Sequence, residues 1–217
     1  MPSRKDNFLQ NRKANRKWDA ILLSNPVLER GLIIAPVIVL GTNLVYGAAL
    51  SIAFFIITFF SVLLSFFIPK KVPGNVRAIF TALLAGGFYI PALMAISYLF
   101  PEDIARFGVF MPIICVNSLI VQKSGTRFRE TKKLFAVADL FSHCLGFALI
   151  MCLVSVIREL LSYGTVWNIK LTDISNPVFV LPFAGFLLCG LIAAAVKRYS
   201  YHIGFLKEDD ETESEDL

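Results

Sequence analysis

Two prolines, each inside a short apolar run and each followed by polar residues, mark the places where this sequence could do chemistry. Ala35-Pro36 precedes Gly41, Thr42 and Asn43, and Pro112 precedes Cys115, Asn117 and Ser118. A proline removes one backbone N–H and leaves a carbonyl without its helical partner. In apolar surroundings such freed groups must meet protein or line a cavity. A break of this kind can surround an ion path or a cofactor, or it can simply kink a helix. Asn43 and Asn117 are able to satisfy the freed groups in either case. Asp139 and His143 lie four residues apart, on one face of a helix. Ionisable groups inside an apolar run face a bundle interior or water, so this pair is a candidate ion or proton path. Asp139 is also about one turn inside Leu134, where a structural polar contact would serve as well. Arg158-Glu159, with Gly164-Thr165 after them, reads as a charged interfacial end followed by a glycine turn. The four cysteines, Cys115, Cys144, Cys152 and Cys189, show no CxxC or other ligand spacing, so neither disulfides nor a metal centre is expected. No P-loop, dinucleotide fingerprint, Ser-His-Asp set or HExxH is present, and no catalytic residue is assigned.

These residues need elements to hold them, and hydropathy supplies the elements. Of 217 residues 56% are hydrophobic and only 17% charged, and the mean hydropathy is +0.68. Charge gathers in a basic arm (1–30), in short loops and in a tail (198–217) that is acidic at its end. Between them, residues 31–197 hold apolar runs at 32–45, 48–68, 78–100, 109–121, 134–157 and 178–196. A bilayer span takes about 20 apolar residues, so the expected fold is an all-α integral membrane protein with six transmembrane helices. Some thirty polar residues precede the first run, so no signal peptide is expected. With the N-terminus inside, eighteen of the twenty-one Lys and Arg residues fall on the cytoplasmic side and only Arg106, Arg158 and Lys170 outside. That bias places both termini in the cytoplasm and makes the basic charge a topology signal, not a nucleic-acid footprint.

Run lengths repeat as short, long, long, twice. A unit of three spans repeated once is inserted the opposite way, which predicts two inverted three-helix repeats with broken first and fourth helices. In transport proteins such breaks meet near the midplane and form the working site.

The same places resemble the membrane subunits shared by Rnf-type electron-transport complexes and sodium-pumping NADH:quinone oxidoreductases, most closely the Rnf E and Nqr D subunits. Asn25-Pro26-Val27-Leu28, Gly31-Leu32 and Ala35-Pro36 are similar to an opening segment that ends in G-L-C-P. Val76-Arg77 resembles the start of I-R-I-P, and the stretch from Pro112 to Ser118 resembles P-L-I-V-T-N-C. Ala138-Asp139 with Gly146-Phe147 sits where the family has L-D-G and a glycine-rich helix. Arg158-Glu159-Leu160 and Gly164-Thr165 are similar to R-E-I-x-G-x-G-T. The resemblance covers residues 25–197 and implies six spans, inverted halves and a homologous six-span partner of opposite topology. It also implies a 2Fe-2S cluster held by cysteines of half-helices from both subunits. Here Ala35 and Ser118 stand at those cysteine positions, and neither supplies the thiolate a cluster needs. Cys115, three residues from Ser118, could at most replace one of the two.

The sequence therefore predicts a membrane subunit of an Rnf/Nqr-like ion-translocating complex in a bacterial or archaeal cytoplasmic membrane. Its expected role is structural or in an ion path, accessory to catalysis, with no cofactor of its own and other subunits and lipid as partners. The alternatives are a stand-alone transporter or binding protein on the same fold, and an anchor whose arm and tail recruit soluble partners.

Overall fold

Where no water can bond the backbone, an uncharged apolar run must satisfy its own N–H and C=O groups, and a helix does so. The computed structural model describes residues 34–69, 71–101, 107, 110–124, 133–173 and 175–202, and the basic arm and most of the tail lie outside them. Helix α1 is Ile34–Leu40. Helix α2 runs Leu44–Ser65 and widens into a π-helical turn at Phe55–Phe59. Helix α3, Gly74–Leu99, carries Pro91 within it. Two short helices follow, α4 at Phe110–Ile114 and α5 at Ser118–Ser124. The long helix α6 spans Lys133–Tyr163. A two-stranded hairpin (β1 Thr165–Val166, β2 Ile169–Lys170) and a 3-10 turn at Pro177–Val180 lead to α7, Pro182–His202.

Among the described residues three helices are long and apolar enough to cross a membrane: Leu44–Ser65, Gly74–Leu99 and Ala136–Tyr163. The expected boundaries shift in informative ways. The first apolar run is not one helix, because the chain turns at Gly41–Asn43 and its last two residues already belong to α2. Neither break falls at its proline. Pro36 and Pro112 both lie inside short helices, and the chain breaks several residues later, at Gly41–Asn43 and at Cys115–Asn117. The sixth run starts as a 3-10 turn, with Pro177 in its first turn, before α7 begins at Pro182.

The core lies between α2 and α6, with α3 and the short helices around it. Ile38, Leu50, Phe54, Met111, Leu119 and Phe147 are buried there, and the rings of Phe54 and Phe147 pack with centroids 4.0 Å apart. Gly47 is what lets α2 and α6 come this close. A Cβ at that position would stand 2.4 Å from Ser155 Oγ, closer than van der Waals contact permits. At the turn into α3, Arg77 is 1% exposed and its Nη2 donates to Val72 O at 2.7 Å. Beyond its place in the Val76-Arg77 resemblance and among the cytoplasmic charges, it closes that turn.

Candidate functional site: two braced helix breaks

A helix end leaves four carbonyls or four N–H groups without intrahelical partners, so each break creates one set of each. The first break is closed from α6. Arg158 is fully buried, and its Nη1 donates to Ile38 O near the C-terminal end of α1. Its Nε donates to Phe179 O at 3.0 Å, and its Nη2 to Val180 O at 2.8 Å and Leu181 O at 3.2 Å. The guanidinium therefore gathers carbonyls from the end of α1 and from the entry to α7. Glu159, also fully buried, serves the opposite end. Its Oε2 accepts from Leu44 N–H at 2.7 Å, at the first turn of α2. Its Oε1 accepts from Thr165 Oγ1 at 3.0 Å and Asn168 N–H at 2.9 Å. Signs match the helix dipoles: the cation meets a C-terminal end and the anion an N-terminal one.

The hairpin after α6 completes this brace. Gly164 ends α6 with φ 67°, and Trp167 and Asn168 follow at φ 57° and 61°. Consecutive left-handed residues give the tight turn that joins two short strands, and they carry Asn168 back onto Glu159. Asn43 adds the N-cap of α2, accepting from Val45 N–H at 2.8 Å and donating to Asn168 Oδ1 at 3.0 Å. Arg158 and Glu159, expected from sequence as a charged interfacial helix end, are both buried within the protein. They are buried parts of the first break.

One side chain closes the second break. Asn117 Nδ2 donates to Ile114 O at 2.8 Å, while its Oδ1 accepts from Ile120 N–H at 2.9 Å. The same amide joins the end of α4 to the start of α5. Nδ2 also donates to Thr58 Oγ1 at 2.9 Å, and Thr58 lies in the π-helical turn of α2. Asn117→Ala is expected to lower stability by about 1–2 kcal/mol through the lost cap, read as thermal unfolding in detergent. An unchanged melting curve would remove Asn117 from this role.

Asn43 caps α2 at Leu44, whereas Asn117 meets it at Thr58. Fourteen helical residues separate those points, about 20 Å, so within one chain the two asparagines do not form a common site. Ala35 and Ser118 are both exposed, as are Pro112 and Val116, whereas Pro36 is buried. Cys115 is turned the other way, 8% exposed and packed in the apolar core. Ala35 and Ser118 offer a methyl and a hydroxyl, and neither fits an iron–sulfur cluster. Among the described residues no three His, Cys, Asp or Glu side chains gather as a metal site.

Asp139 pairs with Lys123 Nζ, which ties α5 to α6. His143 Nδ1 lies 2.8 Å from the Asp139 carbonyl oxygen, a bond the ring makes by donating. Sequence reasoning missed Lys123 as the partner and Thr58 as an anchor. A charged residue sixteen positions before Asp139 was the one available signal for the first. A lone threonine gives none for the second.

Residues 14–193 match the family described as Rnf-Nqr subunit, membrane protein. The chain is 26% identical over 195 residues to the E-type subunit of the ion-translocating oxidoreductase complex of Pseudoalteromonas atlantica, covering 82% of this chain and 84% of the relative. It is 26% identical to the E-type subunit of the Na(+)-translocating ferredoxin:NAD(+) oxidoreductase complex of Acetobacterium woodii, covering 81% and 91%. To the D-type subunit of the Na(+)-translocating NADH-quinone reductase of P. atlantica it is 24% identical, covering 78% and 85%. With a match over most of its length, and with apolar helices long enough to cross a bilayer, the chain belongs to the Rnf-Nqr subunit family of membrane proteins.

Proposed function

We propose that this chain is a multi-pass subunit of an ion-translocating electron-transport complex, with a structural or ion-path role and no cluster of its own. In this reading it has six spans arranged as two inverted three-helix halves, with both termini in the cytoplasm. Its partner is a homologous six-span subunit of opposite topology, alongside other subunits of the complex. The relatives' names support the setting. The observation that carries the role is the pairing of satisfied breaks with an exposed surface. Each break is braced from within, yet α1 and the α4–α5 turn present Ala35, Val39, Ile113, Val116 and Ser118 outward. Irregular backbone at membrane depth has to be covered by protein or face a cavity, and a partner subunit supplies that cover. Asp139 with Lys123 and His143 is the remaining ion-path candidate in this chain.

A second reading, a stand-alone transporter on the same fold, draws on Ala35 and Ser118, which break with the redox pattern. One purification separates the two. The tagged full-length chain, extracted in a mild detergent, is expected to bring down a homologous six-span subunit identifiable by mass spectrometry. A stable monomer that transports an ion after reconstitution would sink the complex reading and leave the transporter.

A further inference from the structure

The hairpin formed by α2 and α3 carries a groove that neither break explains. It has a volume of about 570 Å³ and is lined by Leu64, Ile68, Phe80, Leu83, Gly87 and Pro91 among others. That volume falls within the usual range for ligand sites, about 300–1,000 Å³. Along α3 the groove extends from Phe80 to Pro91, which is about 16 Å of helix. The hydrocarbon core of a bilayer is about 30 Å thick, so the groove is one leaflet deep. Exposed apolar side chains run along α3 from Val76 to Leu99, but only the stretch from Phe80 to Pro91 forms a groove against α2, and an acyl chain matches that length. Gly87 lies in this lining, and an added Cβ there would meet no atom within 4 Å.

The end of the groove nearest Ile68 opens on the turn between the two helices. Lys71 is exposed there. Pro73, at the N-cap position of α3, has no side chain to cap the helix, so the positive end of the α3 dipole faces the same turn. A lysine and a helix N-terminus at the mouth of an apolar groove complement a phosphate attached to an acyl chain. We propose that the α2–α3 hairpin binds an anionic phospholipid, with one acyl chain in the groove and its phosphate at Lys71. This rests on the chain's place in a membrane and is independent of any redox or transport role.

The test uses the full-length chain, with whatever subunits copurify, in detergent doped with phosphatidylglycerol or phosphatidylcholine, and native mass spectrometry of retained lipid. Wild type is expected to retain phosphatidylglycerol in preference to phosphatidylcholine. Gly87→Leu adds a side chain whose Cβ starts in open space within the groove and is expected to lose retention of both. Lys71→Gln is expected to keep the acyl contact and lower the preference for phosphatidylglycerol about fivefold, as one lysine near an anionic headgroup should. Equal retention of the two lipids by wild type, or full phosphatidylglycerol retention by Gly87→Leu, would overturn the proposal. So would a partner helix crosslinked to Leu83→Cys in place of lipid.

Discussion

Arg158→Leu is expected to destabilise the protein by about 2–4 kcal/mol, because four backbone carbonyls lose a charged donor and the one at Ile38 is fully buried. Leucine fills much of the space, so the loss is not one of packing. What disappears is the set of donors to Ile38, Phe179, Val180 and Leu181. Each carbonyl left buried without a donor costs about 1–3 kcal/mol, and relaxation recovers part of that total. Arg158→Lys keeps the charge but replaces a planar fork with a single ammonium, so it should recover only part of the loss. Thermal unfolding of the purified protein in detergent reads both variants. A leucine variant within about 1 kcal/mol of wild type would show that water already reaches these carbonyls.

The expected order of effects, with Arg158 above Asn117, follows from geometry. Asn117 joins two helix ends separated by three residues in sequence, its bonds to Ile114 and Ile120 are local, and only the one to Thr58 reaches a distant element. The local bonds re-form easily when the turn shifts. Arg158 joins α6 to Ile38, 120 residues earlier, and to the entry of α7. Its loss unties three elements at once. Glu159 works in parallel on α2 and the hairpin, so the adjacent pair fixes where the first break sits relative to the rest of the helices.

What could be read in the sequence was what one-dimensional patterns encode. Long uncharged runs gave the helices, and the proline-then-asparagine punctuation marked the stretches in which the chain turns, with Asn43 and Asn117 among the residues named there. The prolines themselves misled about position. Pro36 and Pro112 sit within helical residues of α1 and α4, and the chain breaks later, at Gly41–Asn43 and Cys115–Asn117. The brace was illegible for a different reason. Hydropathy treats Arg158 and Glu159 as charges that end a span, and nothing local reveals that their partners are carbonyls and N–H groups far away in sequence. The left-handed pair Trp167-Asn168, without a glycine between strands, gave no turn signal either. Thr58 became an anchor only because a π-helical turn presents it to Asn117.

The largest all-or-none effect concerns iron. Wild-type protein, purified with its partner, is expected to hold no iron–sulfur cluster at positions 35 and 118. Such a cluster shared between two subunits needs four soft donors, and this chain offers a methyl and a hydroxyl at its two places. Cys115 does not mend this. It is the first residue of the break and is packed inward with the core, whereas Ser118 is exposed. Turning its sulfur outward would withdraw it from that core and disturb the turn that Asn117 holds. Iron and acid-labile sulfide analysis, with EPR of the reduced complex, should therefore give background values for wild type and for Cys115→Ser alike. Stoichiometric iron that vanishes in Cys115→Ser would overturn the prediction and return an electron-carrying role to this chain. The double variant Ala35→Cys/Ser118→Cys asks the converse question. Both positions are exposed on the chain's own surface, where two thiolates would be open to a partner subunit. If that partner presents the matching pair, the double variant should acquire iron and each single variant should not, because three donors leave one iron site open.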